Sequence, residues 1–226
     1  DPINALKSTN NRVELGGVKN LYQNIYVVMD AGINFSPSLG IPVHGIIGYD
    51  LFRDFVVDVN YVKKTIKFYD PALYTYKASK HTRAVDMSVI RRKAYLDAHV
   101  MINKTDEIPV KLLLDTGSSD AVWLFEDERI QLPKKHYQDF LGKGLAGDIF
   151  GKRTKINHLK ISDFILSDAK AAFPDMETFN TIADFGGRNG SLGGEIIKRF
   201  HVVFDYAKEK LILTKNSNFG KLFQYN

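Results

Sequence analysis

The sequence predicts a mostly β chain made of two related lobes with a few short helices, and three observations carry that expectation. Val, Ile, Leu and Phe come in short runs broken by Gly, Asn and Asp, a pattern that favours strands and tight turns over long helices. Aromatic residues make up 12% of the chain, with 15 Phe and 11 Tyr, and such side chains suit half-buried pleated surfaces. The third observation is an internal repeat, which changes what the chain is expected to be.

Residues Gly45 to Phe68 align without gaps on Gly190 to Leu213 at a constant offset of 190 − 45 = 145. Six positions are identical: Gly45/Gly190, Gly48/Gly193, Phe55/Phe200, Val57/Val202, Tyr61/Tyr206 and Lys63/Lys208. Each copy reads as an apolar residue and a Gly, a short amphipathic helical turn, then two strands joined by a polar turn, at Asn60 to Lys64 and at Asp205 to Glu209. Two lobes follow, divided near Tyr76 to His81, where the pattern gives way to a polar, basic stretch after Pro71. The expected division is 1–77 for the C-terminal part of a first lobe and 80–226 for a complete second lobe.

Bulk composition removes several classes of function. At 226 residues and 44% hydrophobic the chain can bury a sizeable core. A formal charge of +5 is spread along the chain. The basic stretches Lys77 to Lys93 and Lys134-Lys135-His136 lack the interleaved aromatics of a stacking platform, so nucleic acid is not expected. Without cysteine there is no disulfide, thiolate nucleophile or cysteine metal site. The six histidines show no short metal spacing, so neither a metal nor a cofactor is expected. No apolar run reaches the roughly 20 residues of a membrane span.

One segment carries chemistry. Val110 to Leu114 is an apolar strand ending in Asp115, followed by Thr116-Gly117-Ser118-Ser119 and a second apolar strand, Ala121 to Phe125, which contains the only tryptophan, Trp123. A carboxylate is thus placed on a tight loop beside a core, Gly117 permits the turn, and hydroxyls stand ready to bond the backbone or the carboxylate. The triplet alone is an ordinary turn. Its context is not: about 75 residues later (190 − 115) comes the Gly-x-Leu-Gly of the repeat.

That arrangement resembles the retropepsin-like aspartic proteases, whose half-site is a hydrophobic strand, Asp-Thr-Gly-Ser/Ala, a flap, then two apolar residues and a Gly before a short helix. The resemblance implies two aspartic-protease-like β-barrel lobes, the first incomplete, with Asp115 as a catalytic carboxylate. It further implies that Thr116 braces the loop, Gly117 allows close approach, and Ser118 bonds the carboxylate. Ser191-Leu192-Gly193-Gly194 and Ile46-Ile47-Gly48-Tyr49 would pack behind the aspartate loops of lobes two and one. The glycine-rich Gly142 to Gly151 is the expected flap, with Gly144, Ala146, Gly147 and Asp148 as substrate-binding residues. It also spells Gly-x-Gly-x-x-Gly, but a dinucleotide site needs a strand before it and a helix after it. Here a polar segment expected to be helical, Pro133 to Leu141, precedes it, and a strand-like Thr154 to Ile161 follows.

The implied reaction needs two carboxylates sharing one proton, one activating a water and the other protonating the peptide carbonyl. The substrate is a polypeptide bound in extended conformation. Subtracting 145 from 115 gives −30, so the partner aspartate is expected about 30 residues before residue 1, in a missing N-terminal half-lobe, unless a second copy supplies it. The resemblance extends to bacterial two-lobed proteases followed by a PDZ domain. It implies an exported protein, with Phe219 to Asn226 as the linker to that domain. Two alternatives stand beside it: a non-catalytic peptide-binding scaffold on the same fold, and, more remotely, an actin-like ATPase or sugar kinase. Glu126-Asp127-Glu128 reads as a solvated turn, and Gly186 to Gly190 as a connection into the second repeat copy.

Overall fold

The computed structural model describes residues 4–29, 33–104, 106–144, 147–175 and 187–224. Over these the chain is mostly β, as its sequence predicts, with three short helices. An antiparallel hairpin of β1 (Ala5–Leu15) and β2 (Val18–Val28) stands as a separate two-stranded sheet. It turns through Gly16 and Gly17, both at positive φ, where a side chain would strain the backbone. Helices α1 (Ser36–Leu39) and α2 (Tyr49–Asp54) precede β3 (Val56–Asn60) and β4 (Thr65–Tyr69). Next come β5 (Thr82–Ile90), β6 (Lys93–Met101), β7 (Ile108–Asp115), β8 (Val122–Leu124), β9 (Tyr137–Gly144) and β10 (Gly147–Lys155). The chain closes with β11 (His158–Ile161), β12 (Phe164–Ser167), β13 (Lys170–Pro174), β14 (Gly190–Gly193), α3 (Gly194–Ile197), β15 (Phe200–Asp205) and β16 (Lys210–Lys215).

Strands β3 to β16 join in one hydrogen-bonded sheet, whose main path runs β4-β3-β15-β16-β5-β6-β7-β14-β8-β13-β10-β9. The two aligned segments meet in the middle of its first part. Each supplies a helical turn and a strand pair, and β3 lies antiparallel to β15, with Val57 opposite Phe204 and Val59 opposite Val202. Subtracting 145 from 204 and 202 gives 59 and 57, so each pairing maps onto the other, as in an isologous contact. Their turns match in detail. The Lys63 and Lys208 N–H groups donate to Asn60 Oδ1 and Asp205 Oδ1, each at 3.0 Å, and the following residues, Lys64 and Glu209, are both left-handed at φ 53° and 49°.

Burial separates the two copies. The main core gathers around Leu96, Leu112, Leu124, Leu192, Phe200 and Phe204. Of the described side chains, none before Val56 is buried. Ile46 and Ile47 are 70% and 61% exposed, whereas their counterparts Ser191 and Leu192 are 7% and 2% exposed.

One expectation fails locally. The segment Pro133 to Leu141 is not helical, because its second half, from Tyr137, is strand β9 paired along β10. The opposed Phe140 and Phe150 rings stand 5.4 Å apart, edge to face, and such cross-strand aromatic pairs outweigh a weak local helical pattern.

Candidate functional site

The site is built where β7 runs out. Val110 and Leu112 anchor that strand in the core, which leaves Asp115, half-buried, at its last position. The Gly117 N–H donates to Asp115 Oδ1 at 3.0 Å, and the Ser118 N–H to the Asp115 carbonyl at 3.3 Å, so the loop closes around its own carboxylate. Thr116 is exposed. Ser118 Oγ accepts the Asp120 N–H at 3.3 Å; its contact here is with loop backbone rather than with the Asp115 carboxylate. Asp115, Thr116, Gly117 and Ser118 thus share one turn.

Strand β14 locks this loop from beneath. It passes between the two strands that the loop connects, parallel to β7 with Gly193 opposite Asp115, and antiparallel to β8 with Leu192 opposite Val122. Glycine at both ends makes the passage feasible: a Cβ on Gly190 would lie 1.9 Å from the Trp123 carbonyl oxygen, and one on Gly193 2.2 Å from that of Asp120. Past the strand, the N–H groups of Gly193, Gly194 and Glu195 donate to the carbonyls of Ala121, Ser118 and Asp120 at 2.9, 2.7 and 3.1 Å. The segment Ser191 to Gly194 therefore packs behind the aspartate loop.

Strands β9 and β10 form the hairpin in the Gly142 to Gly151 stretch, with Gly144 opposite Gly147 and Lys143 opposite Asp148. A strand follows its glycines, so the dinucleotide requirement for a helix is unmet. Asp148 is exposed and Gly144 and Gly147 half-buried; Ala146 lies outside the described residues. Among the described residues no hydrogen bond joins Gly144, Gly147 or Asp148 to Asp115, and the hairpin meets the aspartate loop at its base instead.

That junction is what sequence reasoning missed. Asp120, at the far end of the loop, is 6% exposed and Arg153, on β10, 8%. Arg153 Nη1 donates to Asp120 Oδ1, and its Nε to Asp139 Oδ2 on β9. Trp123 Nε1 donates to Asp120 Oδ2 at 2.6 Å, so this half-buried tryptophan has a polar role as well as a packing one. Nothing in the linear sequence links positions 33 residues apart; the available signal was a lone arginine within an otherwise strand-like run.

A basic group lies within electrostatic reach of the carboxylate. Burial draws the Arg188 guanidinium below its ordinary value, opposed by the charges of Tyr95 and Asp115, and its Cζ sits 5.3 Å from the centre of the Phe125 ring. Burial likewise lowers Lys93, and the charge of Arg188 lowers it further. The neighbouring Asn189 fixes the entry to β14: its N–H donates to the Lys111 carbonyl at 2.8 Å, and its Oδ1 accepts the Lys111 N–H at 2.9 Å. Asp127 Oδ1 accepts the N–H groups of Arg129 and Ile130 at 2.7 and 2.6 Å, so it caps a local turn. No group of three or more His, Asp or Glu among the described residues could hold a metal ion, and no helix there is long and apolar enough to cross a membrane.

No protein-family model matches the chain, and no curated protein does. Among solved structures, the chain is similar to a retropepsin-like aspartic protease from Rickettsia conorii. The identity is 18% and the TM-score 0.37, over 61% of this chain and 100% of that one. A likeness of that size does not establish membership of the family.

Proposed function

We propose that this chain carries one half-site of an aspartic endopeptidase, with Asp115 as one of two carboxylates that activate a water for peptide hydrolysis. The observation that carries the reading is the placement of Asp115. It ends a core strand on a tight loop that receives the Gly117 N–H on its carboxylate and is clamped from beneath by β14. A preorganised loop of this kind holds a general acid or base without the cost of reorganisation during reaction. The β9–β10 hairpin, rooted at the same loop, supplies backbone edges for an extended peptide, with Gly144, Ala146, Gly147 and Asp148 as the contacting residues.

A single carboxylate cannot divide the acid and base roles, so this reading calls for a second aspartate opposite Asp115. The exposure of Ile46 and Ile47 supports a second loop over them, since they align with Ser191 and Leu192, which are buried under the Asp115 loop. The offset of the aligned segments puts one candidate for that loop about 30 residues before residue 1. The other source of a partner carboxylate is the Asp115 loop of a second copy of this chain.

The test is peptide hydrolysis by the longer polypeptide with and without Asp115→Ala. Cleavage favoured at acid pH and abolished by the substitution supports the reading. Equal peptide binding without cleavage in both forms would make the protein a peptide-binding scaffold.

A further inference from the structure

Arg153 is a buried cation with two carboxylate partners on different elements. Asp120 belongs to the loop that starts at Asp115, and Asp139 to the outer strand of the hairpin. Asp120 is held four ways at once. Its Oδ1 takes Arg153, its Oδ2 the Trp123 indole N–H, its carbonyl the Glu195 N–H, and its own N–H donates to Ser118 Oγ. Burial works against the guanidinium, yet the two carboxylates outweigh it and raise its pKa above the ordinary value. A planar fork can meet both carboxylates together in a way that an ammonium cannot.

We infer that Arg153 is a positioning residue that fixes the root of the β9–β10 hairpin to the Asp115 loop, so that the hairpin and the carboxylate keep one relative placement. The inference rests on the protease reading for its kinetic consequence, but not for its mechanical one. Arg153 pairs with Tyr137 on one side and with Ala172 of β13 on the other. The peptide ladder already holds it in register there; what the side chain adds is the crossing to the loop. Lys152 and Gln138, on the same hairpin, meet Asp175 just past β13 at 2.9 and 2.8 Å, a tie that stays on the hairpin and its neighbour and does not reach the loop.

Two substitutions test it. Asp120→Asn removes the charge at the loop end of the crossing while keeping the side chain's size. Arg153→Lys keeps the charge and loses the fork. Hydrogen exchange on this chain should then quicken at least about tenfold for the β9–β10 amides while β15–β16 is unchanged, as expected when one local unit loosens. In the longer polypeptide Arg153→Lys should lower kcat/KM about tenfold without moving the acid limb of the pH profile. Wild-type exchange in the hairpin of either variant overturns the inference. So does equal acceleration in β15–β16, the mark of a merely structural role. If Arg153→Lys does not fold, Asp120→Asn decides alone. A lack of cleavage by every form overturns the protease reading and leaves the exchange result to judge this inference.

Discussion

Asp115 and Asp120 stand five positions apart on one loop and have opposite environments. Asp115 is half-buried and meets one backbone N–H, whereas Asp120 is buried and saturated by an arginine, an indole and backbone. The first was legible from the sequence, because a strand, Asp-Thr-Gly-Ser and a second strand form a local pattern. The second was not, because its partner lies on another hairpin. Gly193→Ala would place a Cβ 2.2 Å from the Asp120 carbonyl oxygen, so denaturant unfolding should show a loss of at least about 1–3 kcal/mol. Tyr206 offers a pH test. Burial, with a smaller contribution from Tyr49, raises its phenol to about 12. The folded state therefore favours the neutral form, and that stability is complete below the free value of about 10 and is lost as pH rises through about 12. Tyr206→Phe should flatten the alkaline fall in stability between those limits, by roughly 2 kcal/mol at its upper end, measured by denaturant melts.

The strand threaded through a loop is the element that organises the site. Its sequence, Gly190-Ser191-Leu192-Gly193, announced itself through the repeat, and the two glycines proved to be the points where backbone meets backbone. The same pattern at Gly45 to Gly48 lies outside any strand, although the letters are similar, because a strand needs a paired neighbour and no described strand pairs with it. Leu192→Ala should therefore cost about 2–5 kcal/mol, as for a fully buried side chain. Ile47→Ala should stay within about 0.5 kcal/mol, as for an exposed one, both read by chemical denaturation of this chain. The hairpin was legible as a glycine-rich stretch between two motifs, but its first strand was not. Tyr137 to Leu141 carries polar residues that suit a helix, and only the pairing of Phe140 with Phe150 across the hairpin decides for strand.

At the scale of the whole molecule, the buried side chains among the described residues all lie from Val56 onward. The two segments that align at an offset of 145 lie in symmetric register through β3 and β15, with matched side-chain caps and matched left-handed residues in both turns. What the sequence could not show was the contrast in burial, since Ile47 and its counterpart Leu192 are both apolar, yet one is exposed and the other buried. An isolated two-stranded hairpin such as β1–β2 is marginally stable in water, so proteolysis of this chain should nick residues 4–48 first and leave a core from β3 onward, visible by mass spectrometry. The most direct test of the central claim is the pH profile of peptide cleavage by the longer polypeptide and its Asp115→Ala variant. The account predicts acid-favoured cleavage that falls at least about 1000-fold in the variant, within the range set by loss of a general acid or base. Cleavage at wild-type rate in Asp115→Ala would contradict it.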